Sequence, residues 1–118
     1  SYTGSIRSGS SVHPYPTLTE AIANSSPGNS ISIKGSVLMQ NSSTDAFTLP
    51  HSLHFYGNDE CEIGYNSYDA TNGDVFNFPG IDNSQDFVFK NIKIINAGGY
   101  GIFTTKTKSV HIETGAAV

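Results

Sequence analysis

The acidic side chains of this chain gather in one place, where Asp59, Glu60 and Glu62 are followed by Asp69 and Asp74. Grouped carboxylates supply the oxygen ligands that Ca²⁺ takes. Asp59, Glu60 and Glu62 are therefore the candidate metal-binding residues, and Ca²⁺ is the cofactor to consider. Their spacing fits no EF-hand loop, and solubilising a bend is the simpler use of such a group. Carboxylates that hydrolyse a glycoside must face each other across a groove, which spacing alone does not establish. The stretch from Gly64 to Gly73 carries Tyr65, Asn66, Tyr68 and Asp69, the candidate glycan-binding residues. An aromatic ring packs on a pyranose face while amide and carboxylate groups bond its hydroxyls. Against this stands the plainer use of both rings as anchors for a long loop.

Other reactive types are scattered. The four histidines do not cluster, and Val88 falls between His54 and His111 in the repeat described below, so no histidine pair forms. Cys61 is the single cysteine and forms no internal disulfide. It has no activating base in its vicinity and reads as a small buried hydrophobe. The chain contains no Gly-x-Ser-x-Gly, no His-Glu-x-x-His and no phosphate-binding loop. No residue is assigned a catalytic role.

The elements that must position these groups are short strands that recur. An apolar–x–apolar phrase appears as Ile31-Ser32-Ile33, Leu53-His54-Phe55, Phe87-Val88-Phe89 and Val110-His111-Ile112, at steps of 22, 34 and 23 residues. Strict alternation marks a strand with one buried face, and its return at repeat length marks a stacked solenoid. A second set, Phe47-Thr48-Leu49, Phe76-Asn77-Phe78 and Tyr100-Gly101-Ile102, follows in step. Val37-Leu38-Met39, Ile63 and Ile92-Lys93-Ile94 form a third set, with Gly35, Gly57, Asn91, Gly98 and Gly99 near the corners. Three strands per circuit, each paired with its equivalent one coil away, make a parallel β-helix with strands ~4.8 Å apart. An antiparallel sandwich also uses many short strands. It is disfavoured because hairpin dipeptides are nearly absent, Asn72-Gly73 lying inside a polar loop. The general rule for parallel crossovers makes the coil right-handed.

The expected organisation is an N-terminal arm over 1–14, a capping helix over 15–28 and β-helix coils over 29–118, three to four in number with the last incomplete. Thr17-Leu18-Thr19-Glu20 is a capping-box pattern, and Leu18, Ala21 and Ile22 share one helical face. Leu18 and Ile22 are expected to cover the first coil, while Val110 and Ile112 lie at the far edge; these four are the candidate assembly residues. The stretch 110–118 stops inside a fourth coil, so either the chain continues in a longer protein or another chain completes that end.

The run Tyr15-Pro16-Thr17-Leu18-Thr19-Glu20-Ala21-Ile22, then Pro27-Gly28-Asn29-Ser30-Ile31-Ser32-Ile33, resembles the opening of the pectin-lyase-like β-helix proteins. Phe87-Val88-Phe89-Lys90-Asn91-Ile92-Lys93-Ile94-Ile95-Asn96-Ala97 with Gly101-Ile102-Phe103 resembles their coil repeat. That family includes pectinesterases, pectate lyases, phage tailspikes and bacterial surface proteins. The resemblance implies the fold, and function lives in sites grafted on it. Lys34-Gly35-Ser36-Val37-Leu38-Met39-Gln40 keeps the glycine of the pectinesterase entry segment and lacks its Tyr and Glu. The esterase constellation comes from later coils that this chain does not contain.

At 118 residues the chain is one domain, with a net charge of −4 and only 14% charged residues. No basic stripe exists to neutralise phosphates, which argues against nucleic acid. No apolar run approaches the ~20 residues that span a bilayer. The expectation is that Ser1 is not the native start and that a leader has been removed. Asn24-Ser25-Ser26 and Asn41-Ser42-Ser43 match the N-glycosylation acceptor. The expected role is a non-catalytic extracellular or surface module, structural or adhesive, or a filament subunit, associating end to end with copies of itself or with further coils. The alternatives are a glycan-binding module, with polysaccharide as partner, and the N-terminal piece of a polysaccharide lyase, hydrolase or tailspike.

Overall fold

The computed structural model describes residues 6–8, 15–42, 44–58, 60–113 and 115–118, with the side chains of 6–8 excepted. In chain order the elements are β1 (Ile6–Ser8), α1 (Leu18–Ala23), β2 (Asn29–Lys34), β3 (Val37–Met39), β4 (Phe47–Thr48), β5 (Leu53–Asn58), β6 (Glu62–Tyr65), β7 (Phe76–Pro79), β8 (Asp86–Lys90), β9 (Lys93–Ile95), β10 (Ile102–Thr105) and β11 (Ser109–Glu113). They form three sheets, ordered β1-β2-β5-β8-β11, β3-β6-β9 and β4-β7-β10. Every pairing is parallel except β1 on β2. Each coil contributes one strand to each sheet, which is a parallel β-solenoid of about three turns. Strand β11 lies on the third coil, and Ala117 bridges to Lys93 in the next sheet.

Two of the three strand sets stack as their sequences align: Val37, Ile63 and Ile94 in one, Phe47, Phe76 and Ile102 in the other. In the first set the repeat is offset. Asn29 pairs with Leu53 and Ile31 with Phe55, so the phrase at 31–33 lies two residues from its expected partner. An offset of two keeps every side chain on its own face, so alternation fixes the face and leaves the register open. The offset sets Gly57 opposite Ile33, where a Cβ would overlap the Asn91 carbonyl oxygen and fall 2.7 Å from the Cys61 Cβ. Strand β10 begins at Ile102, and Tyr100 lies at the corner before it.

The interior is one apolar column. Phe55 stacks on Phe89 at 5.2 Å and 12°, while Phe76 packs 5.2 Å from Phe55 and 5.0 Å from Phe89. Burying a side chain of this size contributes ~1.5–3 kcal/mol. At the corners, Gly35 (φ 85) and Asn91 (φ 58) adopt the left-handed conformation, which Gly and Asn tolerate best. Between β6 and β7, buried Asn72 accepts from the Ser42 N–H at 2.7 Å and donates to the Asn96 and Ser67 carbonyls at 2.8 and 3.1 Å.

Thr17 caps α1, its Oγ1 accepting from the Glu20 N–H at 3.1 Å. With six residues the helix is too short to persist alone, and burial of Leu18, Ala21 and Ile22 holds it on the first coil. Within the expected capping stretch of 15–28, the helix itself spans Leu18–Ala23. In the expected arm, β1 forms a strand that runs antiparallel to β2.

Candidate functional site

The two ends of the solenoid differ. At the first coil β1 occupies the edge of β2, and Leu18 and Ile22 of α1 are 1% and 6% exposed. At the last coil Val110 stands on Phe87 and Ile112 on Phe89 in the parallel ladder. Phe87 and Phe89 are 0% exposed, whereas Val110 and Ile112 are 36% and 45% exposed. The positions on β11 that continue the buried column are therefore uncovered, and Val118 is exposed as well. Among the described residues β11 pairs with β8 and with no further strand, so its other edge offers backbone N–H and C=O groups to an incoming strand. The four residues expected at the edges are thus divided: Leu18 and Ile22 close one end, and Val110 and Ile112 lie open at the other.

The candidate glycan residues also separate. Tyr65 is fully buried, with its hydroxyl donating to the Thr44 carbonyl at 2.9 Å and reaching the Asp74 carbonyl at 3.3 Å. Burial pushes its phenol above the ordinary range. Its ring lies inside the core and gives no face to a sugar, so Tyr65 anchors the loop. Tyr68 is 67% exposed and Asn66 is exposed, its N–H donating to the Met39 carbonyl. Asp69 turns back on its own loop, Oδ1 accepting from the Thr71 N–H at 2.9 Å and hydroxyl at 2.7 Å. Those two bonds hold its carboxyl below the usual carboxylate range.

Of the acidic residues, Glu60 and Glu62 share one cleft and Asp74 lies apart from them. Asp59 lies outside the described residues. Glu60 and Glu62 border a cleft of about 410 Å³ with Ser36, Asn91, Lys93 and Gly115. Glu62 stands opposite Lys93 in the ladder, a cross-strand pair of opposite charge. Asp74 is committed elsewhere, accepting from the Tyr100 N–H at 2.6 Å. Among the described residues no three His, Cys, Asp or Glu side chains are grouped to hold a metal ion. Cys61 is 2% exposed, and burial, reinforced by Glu62, pushes its thiol up to about 12. It is a core residue, since the thiolate is the reactive form. His54 and His111 stand in one ladder with Val88 between them.

Two features escape the sequence reading. His51 lies with Nε2 3.2 Å from the Ser25 carbonyl oxygen and 3.3 Å from the Ser25 hydroxyl, tying the end of α1 to the second coil. Tyr100 and Phe103 stack at 5.3 Å and 29° on the outside of the β4-β7-β10 sheet, 62% and 37% exposed. Phe103 follows Thr48 and Asn77 along one outward row.

No helix among the described residues is long and apolar enough to cross a membrane. No family model matches the chain. Protein psiR of Dictyostelium discoideum is 36% identical over 69 residues, which are 58% of this chain and 6% of that protein. The chain thus spans a small fraction of that relative. No solved structure matches, and the parallel β-solenoid rests on the strand ladders themselves.

Proposed function

We propose that this chain is a non-catalytic structural module, extracellular or surface-borne, of the pectin-lyase-like β-helix type, that associates end-on through the open face of its last coil. One comparison carries the reading: Val110 and Ile112 are 36% and 45% exposed at positions where Phe87 and Phe89, one coil earlier, are fully buried. Exposed edge strands with apolar faces invite pairing, and proteins that do not use them blunt them with charge, proline or a cover. The first coil has such covers in β1 and α1, and β11 carries Val110 and Ile112 at its inward positions. The partners this favours are further β-helix coils or the open face of another copy. A copy's closed end offers no continuing coil, so self-association ends at a pair. Sedimentation across a concentration series tests this. A concentration-dependent larger species is expected, and a monomer throughout that also fails to bind added β-helix coils would contradict it.

Glycan binding is the second reading, and the exposed Tyr100–Phe103 stack favours it. Two solvent-facing rings beside Asn77 and Asp74 supply an apolar platform with polar groups at its margin. Glycan-array binding that disappears on Tyr100→Ala and Phe103→Ala would support it.

A further inference from the structure

We propose that Asn24 is an acceptor for N-linked glycosylation and that its sugar marks the closed end of the solenoid, an inference resting on the surface location proposed above. Asn24-Ser25-Ser26 has the acceptor pattern with no proline between. The structure adds where this triplet sits. Asn24 is the C-cap of α1, and both Asn24 and Ser26 are exposed. The Asn24 side-chain nitrogen donates to the Glu20 carbonyl at 2.9 Å. That nitrogen carries two N–H groups, so a bond to sugar through one leaves the other for the cap. The intervening Ser25 faces inward, its hydroxyl donating to the Ile22 carbonyl at 2.6 Å and lying 3.3 Å from His51 Nε2. The turn is pinned from below and open above. Asn41 differs: it is half-buried, with its amide nitrogen donating to the Ser67 hydroxyl at 2.6 Å and its oxygen accepting the Ser67 N–H at 3.1 Å.

The transfer forms a bond from Asn24 Nδ2 to the anomeric carbon of an oligosaccharide carried on a lipid pyrophosphate. The bond from that carbon to the pyrophosphate oxygen breaks, and the lipid pyrophosphate leaves with the electron pair. The amide nitrogen gives up one proton to a base of the transferase. The product stands next to an apolar groove of about 390 Å³, lined by Ile22, Ala23, Phe47 and Pro50 among others. A glycan there covers apolar surface at the closed end and leaves the open coil face as the docking surface.

The test is secretion of the full chain from cultured eukaryotic cells behind a supplied leader, with intact mass and peptide mapping before and after enzymatic release of N-glycans. A releasable glycan on Asn24 is expected, lost in both Asn24→Gln and Ser26→Ala; the second variant leaves the Asn24 cap in place. Asp82→Asn, on an exposed turn two residues before Ser84, supplies a second acceptor as an internal control. Secreted protein with an unmodified Asn24 would overturn the proposal. Because the leader is supplied, that result removes the acceptor alone, and the location of the native chain stands or falls separately.

Discussion

Gly57 and Asn91 hold adjacent coils together in two ways. The Asn91 side-chain nitrogen donates to the Gly57 carbonyl at 2.9 Å, while the Asn91 carbonyl oxygen occupies the place where a Gly57 side chain would be. The neighbour is backbone and cannot rotate aside. Gly57→Ala should therefore destabilise by about 3 kcal/mol through overpacking, lowering Tm by on the order of 10 °C. Thermal unfolding followed by circular dichroism checks this, and an unchanged Tm would contradict the close approach.

The two loop tyrosines make a matched pair. Tyr65→Ala should cost about 3–5 kcal/mol as a core aromatic truncation, and Tyr65→Phe about 1 kcal/mol for the lost bond to Thr44. Tyr68→Ala should stay within about 0.5 kcal/mol. Denaturant titration of the three variants separates an anchored ring from a displayed one.

This division was legible in part. Ile63 and Tyr65 are two residues apart, so on one strand they share a face, and the burial of one implies that of the other. Composition drew attention to the ring chemistry instead. The strand sets follow from alternation and the corners from Gly and Asn, and both signals are local. What alternation does not carry is long-range. The two-residue offset is a pairing of Ile31 with Phe55, 24 residues on, and the His51–Ser25 contact joins residues 26 apart. Strand β1 has too few residues to show a period. Alternation puts Tyr100 on the strand with Ile102, whereas β10 begins at Ile102, so Tyr100 lies at the corner and its stacking on Phe103, an outward strand residue, does not show in the period.

Cys61 predicts a pH dependence. Its thiol is pushed up from 9.0 to about 12 in the fold, so the folded state holds the proton more tightly than the unfolded chain. The resulting stability is fully present below pH 9 and is lost as pH rises toward 12. Cys61→Ala should flatten the fall in Tm across that window relative to the parent. In the folded parent at pH 8 a thiol reagent should label Cys61 at least tenfold more slowly than after denaturation.

Removing the exposed aromatic stack should leave the fold intact. Tyr100→Ala with Phe103→Ala is expected to change stability by less than about 1 kcal/mol, since both rings lie outside the core. A larger loss in denaturant titration would reassign the pair from display to structure.

The open coil face is tested most directly by sedimentation velocity of the parent beside a Val110→Lys, Ile112→Lys variant, both far from α1 and the closed end. The parent should associate with rising concentration, while the variant keeps its strand spectrum and sediments as a monomer. A parent and variant with the same concentration-dependent association would contradict docking through that face.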